Sequence, residues 1–407
     1  MHMTTRPLDG ITVVSLEHAI AAPFATRQLA DMGARVIKIE RPPVRNADGT
    51  KSGGGDFARG YDTRVNGLAS HFVWTNRSKE SLTLDLKHEM AAEILDKLLA
   101  HADVLIQNLA PGATARMGLS YSALKTKFPR LIVCDISGYG ADGPQRDKKA
   151  YDLLIQSEAG FVSTTGTEES PSKAGISVAD IAAGMYAYTS ILNALLLRGK
   201  TGVGSNIDVS MLEALGEWMS FPLYYAYQGA PQPPRAGASH ATIYPYGPFK
   251  TGDGTSVVLG LQNEREWAAF CEKAMHDAAL AKDARFDSVS QRSANRDALK
   301  ALVEAAFSQL TATEVEARLD VAGIGYGRMN DMAALWAHPQ LKARNRWRTV
   351  GTSAGPIPAM LPPGASTAFE ARMDDVPALG AHTAAILRGI GYADDAIKAF
   401  EALGVTA

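Results

Sequence analysis

Short β-branched runs alternate with longer segments of helical period in the first third of the chain. Ile11–Ser15 (ITVVS) reads as a strand, followed by a helix over Pro23–Met32 that closes at Gly33. Arg35–Ile39 (RVIKI) is the next strand, stopped by Pro42 and Pro43. Further on come a strand at Ser81–Leu84, a helix at Met90–Ala100, a strand at Val104–Gln107, a helix at Tyr121–Lys127 and a strand at Leu131–Ile136. Apolar strands separated by amphipathic helices predict βαβ units, and so a parallel sheet covered by helices on both faces. Between the second and third strands, the polar segment from Arg45 to Gly60 contains Gly53-Gly54-Gly55 and is expected to be a loop or flap over a site.

From Ile181 to Leu197 no charged residue occurs, which approaches the ~20 residues needed to cross a bilayer. Thr189, Ser190 and Asn193 lie within it, and Asp180 and Arg198 bound it closely, so the expectation is a helix buried in a large core. Gly229–Gly237 (GAPQPPRAG) is dense in Pro and Gly and reads as a linker. A hairpin with Asp253-Gly254 at its turn follows, then helices near Glu264–Met275, Ala294–Ala306 and Ala312–Ala322. The expected domains are a large one over 1–228, a small α/β one over 229–330, and a segment over 331–407 that returns to the first.

The 407 residues carry 41 Lys and Arg against 43 Asp and Glu, a net charge of −2 that argues against nucleic-acid or anionic-membrane partners. Two cysteines without a CxxC exclude a disulfide framework, a zinc ribbon and an iron–sulfur site, and no spacing suggests a metal. The opening MHMTTRPLDG has no apolar leader, so the expected location is the cytoplasm.

Two glycine motifs fail on context. Gly138–Gly143 matches GxGxxG, but Pro144-Gln145-Arg146-Asp147 follows where a helix should open, which disfavours an NAD-binding oxidoreductase. Gly351–Gly355 matches GxSxG, but four prolines follow it where a nucleophile elbow needs a helix. Asp180, after GISVA and before the uncharged stretch, sits where an N-cap belongs. An ionised, poorly solvated carboxylate there could also act as a nucleophile toward an activated acyl group. Asp152, beside Tyr151, is a second acid near a helix start, and periodicity does not rank the two.

PLDGITVVSLEHAIAAPFATRQLADMGARVIKIERP, NRSKESLTLDLK, ADVLIQNLAPGATARMGLSYSALKTKFPRLI, ISGYGADGP and RGKTGVGSNIDVSMLEA, in this order, resemble the family III CoA-transferases. The likeness covers nearly the whole chain and is strongest from Pro7 to Ala214. It implies a Rossmann-like large domain with a parallel sheet, built from both chain ends, a smaller α/β domain, and two ring-shaped subunits interlocked as a homodimer. It makes Asp180 the catalytic nucleophile. Coenzyme A enters as substrate, with no permanently bound cofactor, and the partners are an acyl-CoA donor and a carboxylate acceptor. The positions matching CoA contacts are His18, Ala19, Arg41, Leu84, Leu86, Lys87, Asn108, Leu109, Ala113, Arg116 and Lys149. Tyr151 and Asp152 match acyl-pocket positions.

The same superfamily contains 2-methylacyl-CoA racemases, which carry a His–Asp dipeptide where this chain has Tyr151-Asp152. A phenol of ordinary pKa ~10 is a poor base for an α-proton, which favours a transferase. Ile20 in place of the glutamine of formyl-CoA transferases, and the lack of their glycine run around Arg235–Phe249, argue against formyl-CoA and oxalate. Arg235 and His240 are candidates to meet the distal carboxylate of a C4–C5 dicarboxylic acyl group such as succinyl, itaconyl or mesaconyl.

Overall fold

A computed structural model describes residues 5–46, 48 and 50–407. Ala47 and Gly49 of the polar segment, and the first four residues of the expected leaderless start, lie outside the described residues. Two compact units form, one from residues 1–159, 175–219 and 343–407, the other from 160–174 and 220–342. The boundaries therefore fall at 219/220 and 342/343 rather than at 228/229 and 330/331, and 160–174 joins the second unit.

The first unit holds β1 (Thr12–Leu16), α1 (Ala21–Asp31), β2 (Arg35–Glu40), β3 (Lys79–Thr83), α2 (Ala91–Leu99), β4 (Val104–Gln107), β5 (Ile132–Ser137), α3 (Asp152–Glu158), α4 (Val178–Thr201), β6 (Asn206–Ser210) and α5 (Met211–Trp218). Its six strands are all parallel in the order β3-β2-β1-β4-β5-β6. The order reverses between β1 and β4, where doubly wound sheets open a crevice at the carboxyl ends of their strands. Every strand of this sheet comes from residues 12–210, so the C-terminal part of the chain supplies helices and not strands to it.

On one face of the sheet, Ile94, Leu95 and Leu98 of α2 pack with Ile386, Leu387, Ile397, Phe400 and Val405 from the returning tail. Each such fully buried side chain contributes roughly 1.5–3 kcal/mol, which is why the tail stays on the sheet. On the other face α4 lies against α1, and small residues let them approach. A methyl group on Gly184 would lie 2.7 Å from the Ala21 carbonyl oxygen. At its far end α4 stops at Gly202 in the left-handed conformation (φ 75°), and Arg198 pairs with Asp103 at 2.8 Å. By length and composition α4 could span a bilayer; Ala182, Ala183, Ala187 and Ile191 are buried within the unit, whereas Leu196 and Leu197 are exposed.

In the second unit β7 (Tyr246–Lys250) and β8 (Ser256–Gly260) form the expected hairpin, and β9 (Gly325–Arg328) pairs antiparallel with β8. Helices α6 (Arg296–Phe307) and α7 (Ala312–Ala322) bury Leu299, Val303, Phe307, Val315 and Leu319 with Phe249, Trp267 and Phe270. Arg235 and Gly237 bond backbone carbonyls of 163–168, which places that short segment here.

Candidate active site

The carboxyl ends of β1, β2, β3 and β4 surround a cavity of about 410 Å³, within the usual range for small-molecule sites. Leu16, Glu17 and His18 line it from β1, Ile39 to Arg41 from β2, Leu84 to Lys87 from β3, and Leu109 from β4. Gly55 and Phe57 close it from the polar segment. The cavity thus collects His18, Arg41, Leu84, Leu86, Lys87 and Leu109 of the residues expected to hold CoA. Asn108 braces the rim, accepting from the His18 amide at 2.8 Å and donating to its carbonyl at 2.9 Å. Ala19 adopts φ 59° and donates its amide to Asp56 at 3.1 Å. Ala113, Arg116 and Lys149 do not line this cavity; Arg116 and Lys149 are exposed, and the Arg116 guanidinium lies over Gly112.

Beneath the cavity lies a charged network that sequence reasoning missed. Lys38, in the middle of the RVIKI strand, is fully buried and reaches Asp56 at 2.8 Å and Glu17 at 3.2 Å. Lys79 bonds Glu17 at 2.7 Å, and also Asn76 Oδ1 and the Pro23 carbonyl at 3.0 Å each. Glu40 takes two bonds from Arg59, at 2.8 and 2.7 Å, one from Ser81 at 2.6 Å, and one from the Asp56 amide. Three acids and three bases compensate one another. Burial raises the Glu17 carboxyl, but Lys38 and Lys79 outweigh it and hold the group at about 2. Glu40 reaches about 2 in the same way, burial being outweighed chiefly by Arg59 and Lys38. Burial pulls Lys79 down to about 7, with Glu17 opposing, and its three short acceptors match the ammonium form. The polar segment expected as a flap is anchored from Gly55 to Gly60 by this network.

An aromatic row leads away from the cavity. His18 stacks on Phe57 at 5.1 Å, Phe57 meets Tyr61 at 5.9 Å, and Tyr61 meets His71 edge-on at 5.5 Å. Burial, then Asp56 and Asp180, push the Tyr61 hydroxyl up to about 12, so this phenol stays neutral within electrostatic reach of Asp180. Burial lowers the His18 imidazole, and its Nδ1 is buried without a hydrogen-bond partner.

Asp180 occupies the first turn of α4 and is not its cap. The capping position is Ser177, whose side chain makes no capping bond. Asp152 serves the helix end instead, accepting from the Ala179 amide at 2.9 Å and, more weakly, from the Asp180 amide at 3.4 Å. Tyr151, immediately before it, is 69% exposed. Burial, and secondly the charge of Asp152, push the Asp180 carboxyl up to about 7. Such a group is about half ionised at neutral pH and more basic than an ordinary carboxylate, which suits it to nucleophilic attack.

Arg235 and His240 both make structural hydrogen bonds. Arg235, in the second unit, donates Nε to the Thr167 carbonyl at 2.8 Å, one terminal nitrogen to Glu168 at 2.7 Å and the other to Ser163 at 3.3 Å. Three of the five guanidinium donors thus staple backbone carbonyls, and two remain for the expected role toward a substrate carboxylate. His240 accepts the Thr242 and Ile243 amides on Nδ1, at 3.2 and 3.0 Å, and stacks on Tyr246. Gly138–Gly143 follows β5 without opening a helix, and Gly351–Gly355 turns one short strand (Trp347–Val350) into the next (Ile357–Met360).

CoA-transferase family III matches residues 8–383. The chain belongs to this family. It is 32% identical over 98% of its length to the succinyl-CoA:glutarate CoA-transferase of Homo sapiens, covering 90% of that protein. It is 35% identical over 83% of its length to the acetyl-CoA:oxalate CoA-transferase of Acetobacter aceti, covering 85% of it. A crystal structure of a CAIB/BAIF family protein from Brucella suis superposes with a TM-score of 0.81 at 32% identity, over 95% of this chain and all of that one. This family III member is therefore a CoA-transferase, and its substrates include a CoA thioester.

Proposed function

We propose that the protein transfers CoA between carboxylic acids through covalent intermediates on Asp180, with a C4–C5 dicarboxylate as one partner. The observation that carries the reading is the placement of Asp180 in the first turn of α4, where Asp152 already takes the helix-end amides and burial pushes the Asp180 carboxyl up. A carboxylate oxygen of Asp180 attacks the donor thioester carbonyl, the C–S bond breaks, and a mixed anhydride and CoA thiolate result. The thiolate attacks Cγ of Asp180, releasing the donor carboxylate and leaving an aspartyl-CoA thioester. The acceptor carboxylate attacks that carbonyl and expels CoA thiolate, which then takes the acceptor acyl carbon and frees Asp180. Each step exchanges one activated acyl bond for another, so no ATP is consumed.

His18, Ala19, Arg41, Leu84, Leu86, Lys87, Asn108 and Leu109 would hold CoA at the β1–β4 crevice, with Arg41 and Lys87 facing phosphate. Ala113, Arg116 and Lys149 remain part of the proposed CoA path, beyond this cavity. Tyr151 and Asp152 flank the acyl group. The dicarboxylate preference is supported by the succinyl-CoA:glutarate relative, with Arg235 and His240 still proposed to meet the distal carboxylate. Oxalate is a second reading, favoured by the Acetobacter aceti relative. An interlocked-ring homodimer, in the cytoplasm, completes the proposal. Exposed Leu196, Leu197, Val203 and Trp218 in the first unit are apolar side chains a dimer would cover, and so, separately, are Phe221, Leu223 and Tyr224 in the second.

Intact-protein mass spectrometry after incubation with succinyl-, glutaryl-, acetyl- and oxalyl-CoA tests the mechanism. One donor should leave a CoA adduct on the wild type and none on Asp180→Ala. Turnover retained in Asp180→Ala would refute the Asp180 mechanism, and a steady-state acceptor panel separates oxalate from the longer acids.

A further inference from the structure

The first turn of α4 poses an electrostatic problem. Free amides at a helix N-terminus favour a nearby anion, and would stabilise the Asp180 carboxylate into a weak nucleophile. Asp152 takes those amides first. It opens α3, and its Oδ1 accepts from the amides of Ala179 and Asp180 at 2.9 and 3.4 Å. Its Oδ2 is fixed by Gln156 Nε2 at 2.6 Å, from a fully buried side chain one turn along the same helix. Ser177 makes no capping bond, so the cap of α4 comes from a different helix.

We propose that Asp152 is a positioning residue for Asp180: its carboxylate pins the first turn of α4 and, by occupying that helix end with its own charge, keeps the Asp180 carboxylate nucleophilic. The inference rests on Asp180 being the nucleophile. The charge balance agrees with it. Burial and Asp152 both raise the Asp180 carboxyl, and no cation offsets them among the described residues. Two phenols also stand near this end of α4, Tyr61 within electrostatic reach of Asp180 and Tyr151 adjoining Asp152.

Asp152→Asn is the discriminating variant. Its amide oxygen can still accept from Ala179, so the cap is kept while the charge is lost. The acid limb of kcat/KM for the acyl-CoA donor should move to lower pH by about one unit, while the high-pH plateau falls. A plateau that falls with the limb unmoved would mean a purely structural cap and would overturn the inference. The wild type supplies a second measurement that does not depend on the variant folding. The pH dependence of single-turnover CoA-adduct formation should have its midpoint near 7, whereas a midpoint near 4 would refute the inference. If the wild type forms no adduct with any donor it turns over, it is the Asp180 mechanism that fails.

Discussion

Replacing Lys38 by methionine tests the charged network under the cavity. The ammonium is fully buried, 2.8 Å from Asp56 and 3.2 Å from Glu17, with the Phe72 ring 5.8 Å away. Methionine fills most of the stem's volume, so the cavity term is small and the loss is mainly electrostatic. Three buried acids would then face two bases. Breaking a buried pair from one side costs about 3–5 kcal/mol. Lys79 remains on Glu17, and Asp56 still accepts from the Ala19 and Ala58 amides, so the lower end of that range is expected. At roughly 2–4 °C per kcal/mol for units of this size, the apparent Tm should fall by about 6–12 °C. Thermal scans at one fixed rate, by circular dichroism, measure it in Lys38→Met and in Lys38→Met/Asp56→Asn. The double variant removes the orphaned charge and should recover part of the loss. A single variant within about 1 °C of wild type, or a double variant no better than the single, would refute the compensated-network account.

Arg235→Ala should lower the stability of the second unit by roughly 1–3 kcal/mol, because three carbonyls lose a donor, and should lower the ratio of kcat/KM for dicarboxylate over monocarboxylate acceptors. An unchanged ratio would rule out Arg235 as a substrate contact. Arg41→Ala and Lys87→Ala should each raise the KM for acyl-CoA by about tenfold, through a lost charge-assisted bond to phosphate, with little change in the acceptor's KM. Equal effects on both substrates would count against the cavity as the CoA site. Glu17 and Glu40 have folded pKa values of about 2, below the ordinary 4.5, so their contribution is full above the unfolded pKa and is lost as pH falls from about 4.5 to 2. Urea midpoints measured across that window should decline steadily, and a flat profile would contradict the assigned ionisation.

The parallel sheet was legible because its strands are short apolar runs with helical segments between them, and β1, β2, β4 and β5 fall within a residue or two of the periodicity reading. Lys38 shows where that reading stops. A charge inside RVIKI is visible in the sequence, but its partners Asp56 and Glu17 are 18 and 21 positions away, Lys79 reaches the same Glu17 from 62 positions away, and the β1–β2–β3 pairing brings these strands together. Tyr61 and Phe57 were missed for the same reason, as aromatics in a polar segment whose fold is set by Asp56. The position of Asp180 at a helix start was legible from the charge-free stretch that follows it. Its cap was not, since Asp152 comes from another helix, 28 residues upstream. The density of Pro and Gly at 229–237 misled on the boundary. Those residues bond back to 163–168 within the second unit, and the chain returns to that unit at Ser220.

The two acidic sites of the first unit illustrate opposite uses of burial. Under the cavity each carboxylate has a cation within 3 Å, and the acids resolved there are driven toward ionisation despite full burial. That arrangement makes a rigid floor, because a charge taken out of water and matched on all sides resists any movement that would unmatch it. At the start of α4 the acids have no cation partner among the described residues, and what holds Asp152 is a pair of amides and one side-chain amide. A negative charge held by neutral donors is anchored but not neutralised, so it still acts on its neighbour. Burial and that neighbouring charge hold the Asp180 carboxyl up to about 7, and no cation among the described residues offsets them. A lysine or arginine placed beside it would stabilise the carboxylate and make it a poorer nucleophile, so Asp180→Ala and a cation introduced beside Asp180 should both lower the rate if the proposed mechanism holds.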